Sequence, residues 1–169
     1  MHGLRWMVAL HSHGLSGILA DDMGLGKTVQ VISLVAHLVE QGQAGGRPFL
    51  VAAPASVLPN WVAEFKRWAP GLKVVVYRGG PEARETIFRE QVAPRRGAQG
   101  GPAFNVLLTT YDYLMGKADR PRLASFPWCH IIVDEGHRLK DASCKLAQEL
   151  ALYKSRSRLL LTGTPLQNR

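Results

Sequence analysis

The chain alternates short runs of consecutive apolar residues with longer segments in which apolar residues recur every three or four positions. The short runs predict β-strands, and the periodic segments predict amphipathic helices. The predicted strands are Leu15–Ala20, Phe49–Ala53, Val74–Tyr77, Val106–Thr109, Ile131–Val133 and Leu159–Thr162. The predicted helices are Thr28–Glu40, Val57–Trp68, a segment from Pro81 towards Val92, and a segment around Cys144–Leu152. Strand and helix therefore alternate along the chain.

The predicted strands are apolar throughout rather than at every second position, which is typical of a sheet covered by helices on both faces. Their alternation with helices favours parallel pairing. The expected fold class is therefore α/β, with a central, mostly parallel sheet and helices on both faces, in one domain over residues 1–169. Inside this domain, Pro94–Pro102 combines glycine, proline and two arginines without a large apolar residue, and it predicts a flexible surface loop.

Composition excludes several classes of protein. A chain of 169 residues with 46% hydrophobic and 20% charged residues can bury a core, so it is not a disordered tail, a collagenous repeat or a disulfide scaffold. Cys129 and Cys144 form no C-x-x-C pair, and His11 and His13 have no acidic or cysteine neighbour, so a metal site is not expected there. The longest apolar stretch, Val29–Val39, is too short for a membrane span, and no signal peptide is visible.

The net charge of +8 is distributed unevenly. Residues 1–70 hold five basic and four acidic side chains, residues 71–130 hold nine and five, and residues 131–169 hold seven and four. A basic excess in the later segments favours a polyanionic partner, although it says nothing about the fold.

A glycine-rich segment between the first predicted strand and the first predicted helix suggests phosphate binding. The octet Asp21–Thr28 (DDMGLGKT) ends in the Gly-Lys-Thr of a phosphate-binding loop, with Asp21 in place of the loop's first glycine. Backbone N–H groups at the helix start would face phosphate oxygens, Lys27 would supply a positive charge, and the Thr28 hydroxyl would bind Mg²⁺. The alternative is an ordinary strand-to-helix turn in which Lys27 is merely solvated.

Two carboxylates follow the apolar run Ile131–Val133. Asp134 could hold the Mg²⁺ shell and Glu135 could orient or deprotonate an attacking water, as the acidic partner of a phosphate-binding loop requires. The alternative is a solvated strand end. Each of the two motifs strengthens the interpretation of the other.

Five segments in order carry a family resemblance. They are GILADDMGLGKTVQ (17–30), PASVLPNWVAEFKRW (54–68), LLTTYDYL (107–114), IIVDEGHRLKD (131–141) and LLLTGTPLQN (159–168). They resemble motifs of the helicase-like SWI/SNF chromatin-remodelling ATPases, and Gly136 together with WAPGLKVVVYRG (68–79) looks most like the Brahma-type catalytic subunits. The resemblance implies the first RecA-like P-loop NTPase lobe of a two-lobe, DNA-stimulated ATPase.

The resemblance also assigns roles at the nucleotide. It implies that Lys27, Asp134 and Glu135 are catalytic, and that Thr28 and Asp134 hold Mg²⁺. The residues implied to bind ATP are Asp22, Met23, Gly24, Leu25, Gly26, Lys27 and Thr28. The residues implied to couple phosphate state to the second lobe are His137, Thr162, Gly163 and Thr164.

A further set is implied to lie along one strand of DNA. It comprises Pro54, Ser56, Asn60, Trp61, Thr109, Thr110, Arg138 and Lys140, with Tyr111 beside them. Hydroxyl, amide and basic groups contact phosphates without identifying bases, as movement along any sequence requires. For Trp61 the alternative is core packing, because it lies at helical spacing from Phe65, and for Ser56 and Asn60 it is helix capping.

The family pattern and this chain differ in a few places. Relatives usually carry Asn where Asp141 stands, which would weaken one contact to DNA. An adenine-recognising Tyr-Gln pair is expected just before this segment, and a second lobe with an arginine finger is expected after it, so the chain alone should be a weak ATPase. The expected partners are double-stranded DNA, nucleosomes and remodelling-complex subunits in the nucleus, with no membrane.

Two other functions remain open. One is a DNA-repair or transcription translocase of the same superfamily; the TGTPLQN run (162–168) argues against an RNA helicase, which typically has Ser-Ala-Thr there. The other is a catalytically inert fragment that binds DNA or a protein partner.

Overall fold

The computed structural model describes residues 5–9, 17–20, 24–96, 100–134 and 143–162. Its strands are β1 (Gly17–Ala20), β2 (Phe49–Ala52), β3 (Val74–Val76), β4 (Arg95–Arg96), β5 (Gly101–Pro102), β6 (Val106–Thr109), β7 (Trp128–Val133) and β8 (Ser155–Thr162). Six of them form one sheet in the order β1-β8-β7-β2-β6-β3. Every neighbouring pair in this sheet is parallel, which confirms the α/β expectation.

The helices lie between the strands. They are α1 (residues 5–9), α2 (Gly24–Glu40), α3 (Leu58–Trp68), α4 (Pro81–Ile87, continued by a π-helical turn over Phe88–Val92), α5 (Tyr111–Met115), α6 (Arg120–Ala124) and α7 (Ser143–Ala151). The four predicted helices are confirmed. The sequence did not predict α1, α5 or α6, because a five-residue helix is too short to show a period.

Two hydrophobic clusters cover the two faces of the sheet. Along β2, Phe49 and Val51 point into one cluster while Leu50 and Ala52 point into the other, as the alternation of side chains along a strand requires. The first cluster packs against α2 and α3, and the second packs against α4 to α7. The expectation of a sheet covered on both faces is therefore confirmed.

Two strands begin earlier than the apolar runs predicted. β7 begins at Trp128 rather than Ile131, and β8 begins at Ser155 rather than Leu159. The added residues include His130 and Ser157, which are buried and lie 3.1 Å apart between the Ser157 Oγ and the His130 Nε2. Their polar atoms satisfy each other inside the sheet, so the pattern of apolar residues could not reveal them.

The segment Pro94–Pro102 contains a short antiparallel ladder that the sequence did not predict. Arg95 pairs with Pro102 and Arg96 with Gly101. The guanidinium of Arg95 also lies 5.1 Å from the centre of the Phe126 ring. Strands of two residues have no detectable period, and the flexibility of this loop stays a prediction.

A buried polar network fixes the turn after β3. The Asp119 Oδ1 accepts hydrogen bonds from the Tyr77 hydroxyl at 2.5 Å and from the Arg84 Nε at 3.0 Å. The Arg84 Nη1 donates in turn to the Gly79 carbonyl oxygen, in a residue whose φ of +112° favours glycine. Burial and the neighbouring Asp119 raise the pKa of Tyr77 to about 12, so its hydroxyl remains a donor at neutral pH.

Replacement of Asp119 by alanine is expected to lower the free energy of unfolding by about 3 kcal/mol, because it leaves a largely buried guanidinium and a buried phenol without their acceptor. The measurement is urea unfolding. Glu85→Ala is the matched control, since Glu85 pairs with Arg122 at the surface and should cost under about 1 kcal/mol. Equal losses in the two variants would contradict a structural role for the network.

Candidate functional site

The candidate site lies along one edge of the parallel sheet, where the carboxyl ends of all six strands meet. In spatial order, the segments at this edge follow β1, β8, β7, β2, β6 and β3. Neighbouring strands are about 4.8 Å apart, so the ends of β1 and β7, which have β8 between them, are separated by about 10 Å. Segments that are distant in sequence thus become neighbours at a site where α/β sheets usually bind ligands.

The predicted phosphate-binding loop lies at the β1 end of this edge. β1 ends at Ala20 and α2 begins at Gly24, and this 17-residue helix has no acidic residue in its first turn. Its first N–H groups lack intrahelical acceptors, which suits an anion. Gly24 and Leu25 form the first turn and Gly26 is exposed, whereas Asp22 and Met23 lie outside the described residues.

Lys27 and Thr28 are buried, each with only 5% of its surface exposed. The alternative of a solvated Lys27 is therefore wrong. Within the described part of the chain, no carboxylate lies within ion-pair distance of Lys27. A buried ammonium is costly without an anionic partner, so the position fits a bound phosphate. The Gln30 Oε1, one turn further along α2, is also buried and has no hydrogen-bond partner among the residues that the structure describes.

Asp134 is held by three contacts at the end of the fully buried strand β7. Its N–H donates to the Ala52 carbonyl at 2.8 Å, and its Oδ2 accepts a hydrogen bond from the Trp61 Nε1 at 2.8 Å. Its carbonyl oxygen accepts a hydrogen bond from the Tyr111 hydroxyl. Asp134 is thus an oriented carboxylate rather than a freely solvated strand end. The other predicted residues of this segment, Glu135, His137, Arg138 and Lys140, lie outside the described residues.

Thr162 lies between the end of β1 and the end of β7, because β8 is the strand between these two. It ends β8, is paired in register with Ala20 of β1, and is buried. This places it next to the strand that leads into the phosphate-binding loop. Gly163 and Thr164, which share its predicted coupling role, lie outside the described residues.

A cleft of about 590 Å³ lies at the other end of the edge, after β2, β6 and β3. It is lined by Pro54, Ala55, Ser56, Arg78, Gly79, Thr110, Tyr111, Asp112 and Tyr113. The structure thus brings three of the predicted DNA-side residues, Pro54, Ser56 and Thr110, into one cleft. Asn60 is exposed in the first turn of α3, next to the segment that lines it.

Two of the predicted DNA-side residues do not reach the surface. Thr109 is fully buried, and its hydroxyl donates to the Tyr77 carbonyl at 2.8 Å. Trp61 is fully buried and packs against Phe65, as the alternative of core packing required. The expectation that these two side chains contact DNA is wrong, because the parallel strand pairing and the packing of α3 turn both inward.

Other details of this surface also differ from expectation. The N-cap of α3 is Val57, which makes no side-chain capping bond, so the capping alternative for Ser56 and Asn60 is wrong. Arg78 and Gly79 line the cleft, but the sequence reasoning did not single them out. The sequence did contain a hint of this, because an arginine and two glycines directly follow the apolar run that predicts β3.

Membrane-spanning and metal-binding features are not found among the described residues. No helix there is long and apolar enough to cross a bilayer, and no three His, Cys, Asp or Glu side chains there are grouped as metal ligands. Cys129 is buried, and its burial raises the pKa of the thiol to about 11.

Several known proteins are similar to this chain in sequence. The chain is 56% identical over 168 residues to chromatin structure-remodeling complex protein SYD of Arabidopsis thaliana, covering 99% of this chain and 4% of that protein. It is 49% identical to ATP-dependent helicase brm of Drosophila melanogaster, covering 99% and 10%, and 47% identical to nuclear protein STH1/NPS1 of Saccharomyces cerevisiae, covering 99% and 12%. The chain therefore spans a small part of each of these relatives.

A solved structure with the same fold is the Sulfolobus solfataricus SWI2/SNF2 ATPase core in complex with dsDNA. The TM-score is 0.81 at 33% identity, over 99% of this chain and 32% of that one. The model of the SNF2-related domain matches residues 1–169. The chain belongs to the SNF2-related family, as its motifs and its RecA-like sheet both indicated.

Proposed function

We propose that this chain is the ATP-binding lobe of a DNA-dependent ATPase that moves along duplex DNA and remodels nucleosomes. The observation that carries the proposal is the arrangement of the sheet edge. The phosphate-binding side follows β1, the cleft with the DNA-side residues follows β2, β6 and β3, and Asp134 follows β7 between them. A motor that couples nucleotide to DNA requires both sites on one rigid sheet.

The nucleotide would be held by groups that contact its phosphates. The N–H groups at the start of α2 and the buried Lys27 would bind phosphate oxygens, and Thr28 and Asp134 would hold Mg²⁺. Mg²⁺, when bound with ATP, neutralises charge that develops on the β- and γ-phosphates. Glu135 would orient the attacking water and accept its proton, which is the role the sequence suggests for it.

The cleft after β2, β6 and β3 would hold the phosphate backbone of one DNA strand. Ser56 and Thr110 offer hydroxyl groups, Asn60 offers an amide, and Arg78 offers a charged donor. Such groups bind phosphate without reading bases. Arg138 and Lys140 remain candidates for the same role on the evidence of sequence. The Sulfolobus ATPase core was solved in complex with dsDNA, which supports this choice of ligand.

We also propose a second lobe, protein partners and a cellular compartment for this lobe. A second RecA-like lobe would close the nucleotide site and supply an arginine finger, and His137, Thr162, Gly163 and Thr164 would transmit the phosphate state to it. Remodelling-complex subunits would be partners, and the nucleus would be the compartment. Two relatives support these assignments, since SYD is a chromatin structure-remodeling complex protein and STH1/NPS1 is a nuclear protein.

The test measures ATP turnover by a protein in which this chain is continued by a second RecA-like lobe. Naked duplex DNA is expected to stimulate turnover, and nucleosomes are expected to stimulate it further. The double variant Ser56→Ala/Thr110→Ala should raise the DNA concentration for half-maximal turnover about thirtyfold, at about 1 kcal/mol for each of the two lost hydrogen bonds. Thr86→Ala, an exposed threonine on α4, is the control.

The outcomes separate the alternatives. Equal stimulation by naked DNA and by nucleosomes would favour a DNA-repair or transcription translocase over a remodeller. Absence of nucleotide binding with intact DNA binding would favour a catalytically inert fragment.

A further inference from the structure

Asp134 is tied, through its carboxylate and its main-chain carbonyl, to α3 and to the start of α5, which adjoin the DNA-side cleft. Trp61, in the first turns of α3, donates its indole N–H to the Asp134 Oδ2, and Tyr111, at the start of α5, donates its hydroxyl to the Asp134 carbonyl oxygen. We infer that Trp61 and Tyr111 are positioning residues, which couple occupancy of this cleft to the Mg²⁺-binding carboxylate. The inference rests on the proposed function, in which DNA binding and nucleotide binding affect each other. It assigns this coupling to the side chains of Trp61 and Tyr111.

The Trp61 contact is suited to transmit a displacement. Trp61 is fully buried and packed on Phe65, with its ring centre 6.2 Å from that of the phenyl ring. Its indole therefore cannot move without α3. The Pro54 carbonyl accepts a hydrogen bond from the main-chain N–H of Val57 at 3.0 Å. The Val57 carbonyl accepts one from the main-chain N–H of Trp61 at 3.2 Å. These are main-chain hydrogen bonds, so they join the cleft-lining segment to the backbone that carries the indole.

The Tyr111 contact reaches the same aspartate from a different strand. Thr110 and Tyr111 follow β6 and line the cleft, while the Tyr111 hydroxyl reaches the main chain of Asp134. One residue therefore orients the carboxylate and the other holds the backbone that carries it. A hydrogen bond to a carboxylate is stronger than one between neutral groups, so the indole N–H of Trp61 favours one orientation of the Asp134 side chain.

The coupling has a direct thermodynamic consequence. If a DNA strand in the cleft changes the orientation of Asp134, DNA must change the affinity for Mg²⁺-nucleotide, and nucleotide must change the affinity for DNA by the same factor. The two hydrogen bonds that carry the inference, from the Trp61 Nε1 and from the Tyr111 hydroxyl, both end on Asp134 and not on Lys27 or the start of α2. Nucleotide affinity without Mg²⁺ and without DNA should therefore not depend on Trp61 or Tyr111.

Trp61→Phe and Tyr111→Phe remove the two donors and keep aromatic rings in place. The chain offers matched controls. Trp128 is equally buried and donates its Nε1 to the Leu123 carbonyl at 2.9 Å, and Tyr153 is buried and donates its hydroxyl to the Leu114 carbonyl at 2.8 Å. Trp128→Phe and Tyr153→Phe therefore lose the same groups, at positions that do not touch Asp134.

The experiment titrates a fluorescent ADP analogue into the chain, with Mg²⁺ or with a chelator, and with or without a duplex of random sequence. The parent chain is expected to show a DNA-dependent change in Mg²⁺-analogue affinity of about 5- to 150-fold, the usual range of such coupling. Trp61→Phe and Tyr111→Phe should each bring this factor close to one, and the reciprocal effect of the analogue on DNA affinity should fall equally. The control variants should keep the parent's factor.

If DNA changes the Mg²⁺-analogue affinity of Trp61→Phe and Tyr111→Phe as much as it changes that of the parent chain, the inference is overturned and the proposed function is left intact. Equal loss in Trp128→Phe and Tyr153→Phe would also overturn it, because the effect would then be one of general packing. A parent chain that binds neither ligand would overturn the proposed function and this inference with it.

Discussion

Assayed by itself, the 169-residue chain is expected to hydrolyse ATP about 10³- to 10⁵-fold more slowly than the same lobe continued by a second RecA-like lobe. Lys27, Thr28 and Asp134, which we propose to contact the nucleotide and its Mg²⁺, all lie at one edge of one sheet. The negative charge that develops on the transferred phosphoryl group needs a donor on its other side, and an arginine finger supplies a stabilisation of this size.

The measurement compares phosphate release by the two proteins at saturating ATP, with and without duplex DNA. The chain should still bind a fluorescent nucleotide analogue, which separates slow chemistry from absent binding. Rapid, DNA-stimulated turnover by the chain alone would contradict this prediction and the requirement for a second lobe.

Lys27→Ala is expected to weaken binding of the nucleotide analogue to the chain by about 10- to 150-fold, because a hydrogen bond to a charged group contributes about 1.5 to 3 kcal/mol. The melting temperature should change little, since the described structure gives this buried ammonium no carboxylate partner to lose. Fluorescence titration measures the affinity for the nucleotide analogue, and thermal unfolding measures the melting temperature.

Two further variants sharpen the test of Lys27. Lys27→Met keeps most of the buried aliphatic volume and removes the charge, so it should lose as much affinity as alanine does. Lys66→Ala removes an exposed lysine of α3 and should leave affinity unchanged. Unchanged affinity in Lys27→Ala would mean that the glycine-rich turn does not hold the phosphates.

The sequence predicted the sheet well because each of its six strands contains a run of consecutive apolar residues. Lys27, Thr28 and Asp134 were identifiable as candidate site residues because a local motif carries each of them. It could not decide between the two roles of Trp61. An indole at helical spacing can face the core or the surface, and only the packing of α3 against the sheet shows that its N–H reaches a residue 73 positions away.

The surface residues were harder to predict than the motifs. Thr109 and Thr110 are adjacent and chemically alike, yet one is buried by strand pairing and the other lines the cleft. Arg78 joins that cleft because β3 lies beside β6, and the residues after β3 alone do not show that these two strands pair. The order and pairing of the strands in the sheet, rather than the type of residue, decide which polar groups line the cleft.

The pairing of β1 with β8 has a consequence for the order of folding. β1 lies at the edge of the sheet, and its only strand neighbour among the described residues is β8, more than 130 residues later in the chain. The strand that leads into the nucleotide loop is therefore held in place only after residues 155–162 have been synthesised and docked. Contacts of such long range close late, because the entropy of closing the intervening chain must be overcome first. On the ribosome, the cleft after β2, β6 and β3 is therefore expected to form before the proposed nucleotide site, which stays incomplete until β8 has docked.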